Sequence, residues 1–251
     1  GDYKMNATFD SAGNPKPITL ILAAGNGELL GQLDAENIVY ANNLKEADEI
    51  SFRIYKYVNG VKCSLWDKIV DFKLVWCKDY NTWFQITVTT DESEETIKNV
   101  LGVSLGEAEL SQIMLYDIEI NTEDDIAREN YKTTVLYKPD DKEASLLHRI
   151  LEKAPHYSVS HVDSTIKNIQ RTFSFNNTSI FDALQEIGEE MGCLFILNLN
   201  SDENGKIQRT VSVYDIQSYC YECGHRGIFT LNCPECHSTN INEGYGEDTT
   251  I

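Results

Sequence analysis

Apolar and polar residues alternate through much of the first half of the chain. In Ile50-Ser51-Phe52-Arg53-Ile54 every second residue falls on one face, the pattern of a half-buried strand. Phe84-Gln85-Ile86-Thr87-Val88-Thr89 and Ile118-Glu119-Ile120 repeat it. Turn signals lie between such runs: Gly25-Asn26-Gly27, Asp79-Tyr80-Asn81, and Val58-Asn59-Gly60-Val61, a two-residue hairpin sequence. Short strands at this spacing predict an antiparallel sandwich or barrel rather than βαβ units. Helices are expected from Glu94 to Val100 and from Glu107 to Met114, and the acidic run Glu119 to Asp125 reads as a boundary.

The period changes after that run. Leu147, Ile150, Leu151 and Ala154 share one helical face, with Asp140 and Glu143 as a capping-box-like start and Pro155 as the stop. A second helix follows, with Ser179 and Asp182 as a capping box, Ile180, Leu184, Ile187 and Met191 as its buried stripe, and Gly192 as C-cap. Cys193 to Leu199 then reads as an alternating strand, Asp202-Glu203-Asn204-Gly205 as a turn, and Val211 to Tyr214 as the returning strand. The predicted class is α+β. A mostly antiparallel β domain (1–120) is followed by a small α+β domain (121–217), a cysteine-bearing ribbon (218–240) and the start of a further segment (241–251).

Lys and Arg total 21 against 40 Asp and Glu, a formal charge of −19 in 251 residues. Phosphate contacts need a basic face, so this balance argues against nucleic acid and disfavours anionic membranes. No stretch approaches the roughly 20 apolar residues of a membrane span.

Of seven cysteines, Cys63, Cys77 and Cys193 sit among apolar residues and read as reduced core thiols. The other four form two knuckles, Cys220-Tyr221-Glu222-Cys223 and Cys233-Pro234-Glu235-Cys236, separated by nine residues. Four thiolates satisfy a tetrahedral ion and leave no open position, which points to a structural zinc site. Gly224 permits the unusual backbone after the first knuckle, and Ile228 to Leu231 reads as a short strand of a zinc ribbon. Disulfides within the knuckles would be strained, a redox pair lacks the strand-to-helix context, and iron is the remaining competitor. His225 and His237 flank a filled ligand set and are expected beside it or facing solvent rather than on the metal.

Signatures of catalysis are absent: there is no H-E-x-x-H, G-x-S-x-G or phosphate-binding G-x-x-x-x-G-K-[ST]. Gly25-Asn26-Gly27 with Gly31 has the wrong spacing for a dinucleotide loop, since Leu30 stands at the third glycine. His156, His161 and Asp163 could be drawn as a metal or acid–base group, but five-residue spacing in a loop favours ordinary histidines. Asp91, Glu92, Glu94 and Glu95 read as a solvated face, and Glu123, Asp124 and Asp125 lack a calcium-loop pattern.

From Ser104 onward the sequence resembles a known group. Glu107-Ala108-Glu109-Leu110, Tyr116 to Asn121, Ser145 to Leu151, Ala154-Pro155-His156-Tyr157, His161-Val162-Asp163, Arg171 to Phe175, Ser179 to Asp182, Cys193 to Ile196 and Val211 to Asp215 look like prophage tail proteins of the tail-associated lysin, or prophage endopeptidase tail, family. Asn43 to Phe52 is similar to that family's opening β-domain. The resemblance covers nearly the whole chain and includes no catalytic signature.

It implies a baseplate-hub-like fold in a virion tail, made in the bacterial host cytoplasm. The intact protein would be a homotrimer around the tail axis, beside a distal tail protein, a tape measure and receptor-binding modules. In the family, lytic activity belongs to C-terminal modules, expected beyond Ile251. The expectation is therefore a non-catalytic tail-tip component. The alternatives are a cell-wall-degrading tail endopeptidase and a zinc-ribbon nucleic-acid binder. The latter is opposed by Glu222, Glu235 and Glu243 around the ribbon's His225 and Arg226.

Overall fold

Ile50, Phe52 and Ile54 point inward from the strand Glu49–Tyr55, as the alternation requires. The computed structural model describes residues 3–5, 8–9, 15–16, 18–42, 48–90, 96–201, 206–227, 229 and 231–242. The chain forms two compact units, one of residues 1–109 and 198–209, the other of 110–197 and 210–251.

The first unit is built on an eight-stranded antiparallel sheet, curled into a half-barrel. Its order is Tyr3–Met5, Ala35–Asn42, Glu49–Tyr55, Ile97–Ser104, Thr82–Thr90, Leu74–Cys77, Leu20–Ala23, Leu29–Gln32. Register shifts between Leu22 and Ala23 and between Glu36 and Val39 add the bends that curl such a sheet. The inner face buries Leu20, Leu22, Phe52, Val75, Phe84 and Ile86. Val58 pairs with Val61 across Asn59-Gly60, and Gly25-Asn26-Gly27 joins Leu20–Ala23 to Leu29–Gln32, both as expected.

The helix expected from Glu94 to Val100 is absent. Ile97–Ser104 is a central strand, paired on both sides, and residues 91–95 lie outside the described set. Lys98 disguises the alternation, because it faces inward with Val100 and Gly102. Its ammonium donates to the carbonyls of Trp66 and Ile69 at 2.8 and 2.7 Å and lies 4.6 Å from the Trp66 ring. Three directed contacts replace the water that burial removes. Burial still lowers its pKa, against the pull of Asp67. The helix expected from Glu107 to Met114 is shorter and earlier: α1 is Leu105–Leu110, and Met114–Leu115 is a strand.

The second unit has one apolar core, drawn from Leu110, Leu115, Ile120, Phe173, Phe175 and Val211 together with the apolar faces of two of three further helices. The three are α2 (Glu123–Ile126), α3 (Leu146–Leu151) and α4 (Ile180–Met191), of which α3 and α4 supply the core. Ser179 caps α4 by accepting from the Asp182 N–H at 3.0 Å, and Gly192 closes it in the left-handed region at φ 63°. The expected stripe Ile180, Leu184, Ile187, Met191 is buried. The cap expected at α3 from Asp140 and Glu143 is corrected. Ser145 holds the N-cap, and its hydroxyl makes no capping bond. Cys193–Ser201 and Ser158–Val162 flank Ile207–Asp215 in a three-stranded sheet, with Ser158–Val162 parallel to it. Burial along Cys193–Ser201 does not alternate cleanly, and the turn 202–205 lies outside the described residues.

The acidic run Glu119 to Asp125, expected to mark a boundary, lies inside the second unit. It holds the end of strand Ile118–Ile120 and the start of α2, and Asp125 is buried within the second unit. Among the described residues no helix is long and apolar enough to cross a membrane.

Candidate metal centre

Three short strands carry the cysteine region: Ser218–Cys220 pairs with Arg226–Gly227 on one side and Ile241–Asn242 on the other. The ribbon strand expected at Ile228 to Leu231 is therefore at Arg226–Gly227. Leu231 is exposed outside any strand, while Ile228 and Thr230 lie outside the described residues.

The two knuckles use one backbone device. Gly224 N–H donates to the Cys220 carbonyl at 2.8 Å, and His237 N–H donates to the Cys233 carbonyl at 2.9 Å. Both donors are left-handed, at φ 75° and 60°. Glycine adopts this freely, whereas histidine takes it at a cost. The equivalence of Gly224 and His237 follows from the spacing, since each directly succeeds the second cysteine of its knuckle.

The turns bring all four sulfurs together, within 4.8 Å of one another. Cys220 and Cys236 Sγ are 3.5 Å apart, as are Cys223 and Cys233. A zinc–sulfur bond of about 2.3 Å in tetrahedral array separates sulfurs by about 3.8 Å, so the cluster fits such an ion. Among the described residues these four cysteines are the one group of three or more Cys, His, Asp or Glu placed to hold a metal. Cys220 and Cys233 are buried, and Cys223 and Cys236 are exposed.

The four thiols do not titrate alike. Burial opposes the Cys220 thiolate, yet hydrogen bonds from the Cys223 backbone and the Cys236 thiol hold it lower, at about 7. The His225 N–H lowers Cys223, but burial and the three other sulfurs push it up to about 12. His225 serves the knuckle through its backbone, also accepting from Cys220 N–H at 2.8 Å. Its ring stacks on Phe229 at 5.5 Å.

The sequence gives Arg226 no special place, yet it ties this region to the rest of the second unit. Its guanidinium donates to both oxygens of Asp215, at 2.7 and 3.1 Å, and to the Met191 carbonyl at 3.2 Å. Asp215 is buried and also accepts from Thr165 Oγ1 and Gln217 N–H. One signal was available: Arg226 is the only Lys or Arg after Arg209.

The remaining candidates disperse. His161 Nε2 meets Asp163 Oδ1 at 2.8 Å and its ring lies over Tyr214, while the His156 ring packs on Tyr157. Asp125 is engaged by Arg149 rather than grouped with Glu123 and Asp124. Cys77 and Cys193 are buried thiols, with burial raising them to about 11 and about 12. Cys63 is half-buried and packs against the first unit's apolar core, less enclosed than expected.

No protein-family model matches the chain, and no curated protein matches it. Among solved structures it is similar to the prophage tail protein gp18 from Listeria monocytogenes EGD-e. The identity is 12%, the TM-score is 0.48, and the match covers 77% of this chain and 50% of that one. The chain thus spans about half the length of that protein.

Proposed function

We propose that this chain is a structural, non-catalytic component of a phage or prophage tail tip. In the intact protein it works as a homotrimeric hub that holds host-adsorption or lytic modules, and its four cysteines bind a structural zinc. One observation carries the reading. The segments that resemble the tail family supply the apolar core of the second unit: Leu110, Ile120, Leu146, Leu147, Ile150, Leu151, Tyr157, Phe173, Phe175, Ile180 and Val211. The resemblance lies in residues that fold the unit and includes no catalytic signature, which favours a role carried by shape.

Two further features support it. Four sulfurs leave an ion no vacant position for substrate, so the metal would act as a staple. The eight-stranded sheet ends at Leu29–Gln32, a strand with no charged residue and an exposed Leu29. Such an edge suits pairing with another copy of the chain, as a closing ring requires.

The test is native mass spectrometry of the full-length product together with its detection in purified particles. A trimer present at the tail tip is expected. A strict monomer missing from particles would overturn the assignment, and wall clearing by this chain in a zymogram would overturn its non-catalytic part.

A further inference from the structure

Arg226 lies three residues after Cys223, and its partners belong to other elements. Tyr219 pairs with Arg226 in the strand register, and Cys220 N–H closes on the His225 carbonyl, so the first knuckle fixes the backbone that presents the guanidinium. The guanidinium then meets the carboxylate of Asp215, at the end of strand Ile207–Asp215, and the Met191 carbonyl, in the last turn of α4. A helix C-terminus leaves carbonyls without partners inside the helix, and a cation suits them.

The same junction is closed from other directions. Ile216 N–H donates to the Gly192 carbonyl at 3.3 Å. A Cβ on Gly192 would stand 2.6 Å from Gln217 Nε2, so the Gln217 side chain lies directly over the turn. Asp163 Oδ2 accepts from Asp215 N–H at 2.8 Å. Immediately after Gly192, Cys193 is 5% exposed. Its thiol feels Arg226 and Asp215 in opposite senses, burial being the larger effect.

We propose that Arg226 is a positioning residue that latches the end of α4 to the four-sulfur site, so that metal occupancy controls access to the Cys193 thiol. With the ion bound, the first knuckle holds Arg226 on Asp215 and on the Met191 carbonyl, and Cys193 is closed in. Without the ion the knuckle loosens, the guanidinium leaves, and a buried carboxylate without its cation destabilises the packing around it. The α4–strand junction then opens locally and Cys193 becomes reactive. The latch rests on the metal assignment above, and it makes the ribbon a sensor of its own occupancy rather than an inert appendage.

The experiment is maleimide labelling of the full chain, with peptide mapping to follow Cys193. Cys77, fully buried in the first unit, is the internal reference. Unaltered protein is compared with zinc bound and after removal by a chelator, with zinc content measured by elemental analysis. Removal is expected to speed Cys193 labelling by about tenfold or more while Cys77 is unchanged. In Arg226→Met, zinc is expected to bind at the same stoichiometry, but Cys193 should label quickly with or without it. Arg226→Lys, which keeps the charge and loses the two-pronged contact, should fall between. If zinc binds and Cys193 labels equally in both states of the unaltered chain, the latch is wrong and the metal site stands. A chain that takes up no metal overturns both. If Arg226→Met does not fold, the comparison on the unaltered chain decides alone.

Discussion

The Arg149 guanidinium reaches both carboxylate oxygens of Asp125, at 3.2 and 3.4 Å, across 24 residues of sequence. It also donates to the Glu119 carbonyl at 2.6 Å and to Thr134 Oγ1 at 3.2 Å, while Asp125 accepts from Asn121 N–H at 2.8 Å. An acidic run that reads as a boundary therefore has one member at the centre of a buried polar network. Removing one partner strands the other charge, a cost of about 3–5 kcal/mol. Asp125→Ala should lower the midpoint of urea unfolding followed by circular dichroism. The exposed neighbours Glu123 and Asp124, changed to Ala, should cost less than about 0.5 kcal/mol each. Equal effects from all three would refute the network's role.

Gly102 makes a case from space alone. A Cβ there would lie 2.7 Å from Ile50 Cγ2 and 3.0 Å from Phe84 Cβ, between the strands that pair with it on either side. The inner face has no room, because Ile50 and Phe84 already fill it. Gly102→Ala should destabilise the first unit by about 1–3 kcal/mol. Trp66, Trp76 and Trp83 all lie in that unit, so tryptophan fluorescence is the appropriate probe. An unchanged transition would mean the strands separate at little cost.

His237 occupies the left-handed position that Gly224 occupies in the other knuckle. Replacing it with glycine removes strain worth about 1 kcal/mol, although glycine also adds freedom to the unfolded chain. Because folding of the knuckle and metal binding are one equilibrium, His237→Gly should raise metal affinity by up to about fivefold. A large loss of affinity instead would make His237 a participant in the site, and competition with a coloured chelator measures either outcome.

Local chemistry was legible and long-range chemistry was not. Ser179, Asp182 and Gly192 announce α4 because capping acts over three or four residues, and the knuckles announce themselves because each closes within one turn. Ile97–Ser104 was hidden because Lys98 stands where an apolar residue belongs, and the carbonyls of Trp66 and Ile69 that make this tolerable come from 32 and 29 residues away. Asp125–Arg149 and Asp215–Arg226 were hidden likewise, since nothing in a charged residue's immediate sequence says whether it will meet its opposite inside the fold. The gathering of the four cysteines could therefore be read, while the residue that ties them to the rest of the second unit could not.

Acid should empty the metal site in a particular way. Cys220 is held at about 7, below its ordinary 9, whereas Cys223 is pushed to about 12. The Cys220 thiolate thus favours the folded knuckle fully above pH 9, and that contribution is lost as the pH falls through 7. Metal must displace protons from Cys223 and Cys236, both raised above 9, at every neutral pH, and from Cys220 as well below about 7. Affinity should fall more than tenfold per pH unit and more steeply below about pH 7. Chelator competition across the range checks this, and a flat profile would contradict ligation by thiolates.

Among the described residues two Asn-Gly pairs stand in different states, and their chemical ageing should differ. At Asn26-Gly27 the Gly27 N–H donates to the Ala24 carbonyl at 2.8 Å, and Asn26 Oδ1 accepts from Glu28 N–H at 3.1 Å, so both reacting groups are engaged. At Asn59-Gly60, at the exposed tip joining Tyr57–Val58 to Val61–Lys62, no hydrogen bond holds either group among the described residues. Nothing lies within 4 Å of where a Gly60 Cβ would be. Deamidation needs the Gly60 nitrogen to lose its proton and attack Asn59 Cγ. Ammonia leaves, and water opens the resulting imide to an acid. Freedom of the turn and the bare glycine favour that approach. Peptide mapping after incubation in mildly alkaline buffer should find acid at position 59 well before position 26. The hairpin turn Asn59 (φ 50°) to Gly60 (φ 80°) would then carry a new negative charge, with a lengthened backbone wherever isoaspartate forms. Equal rates at the two pairs, or a faster rate at Asn26, would mean that the hydrogen bonds around Gly27 offer no protection.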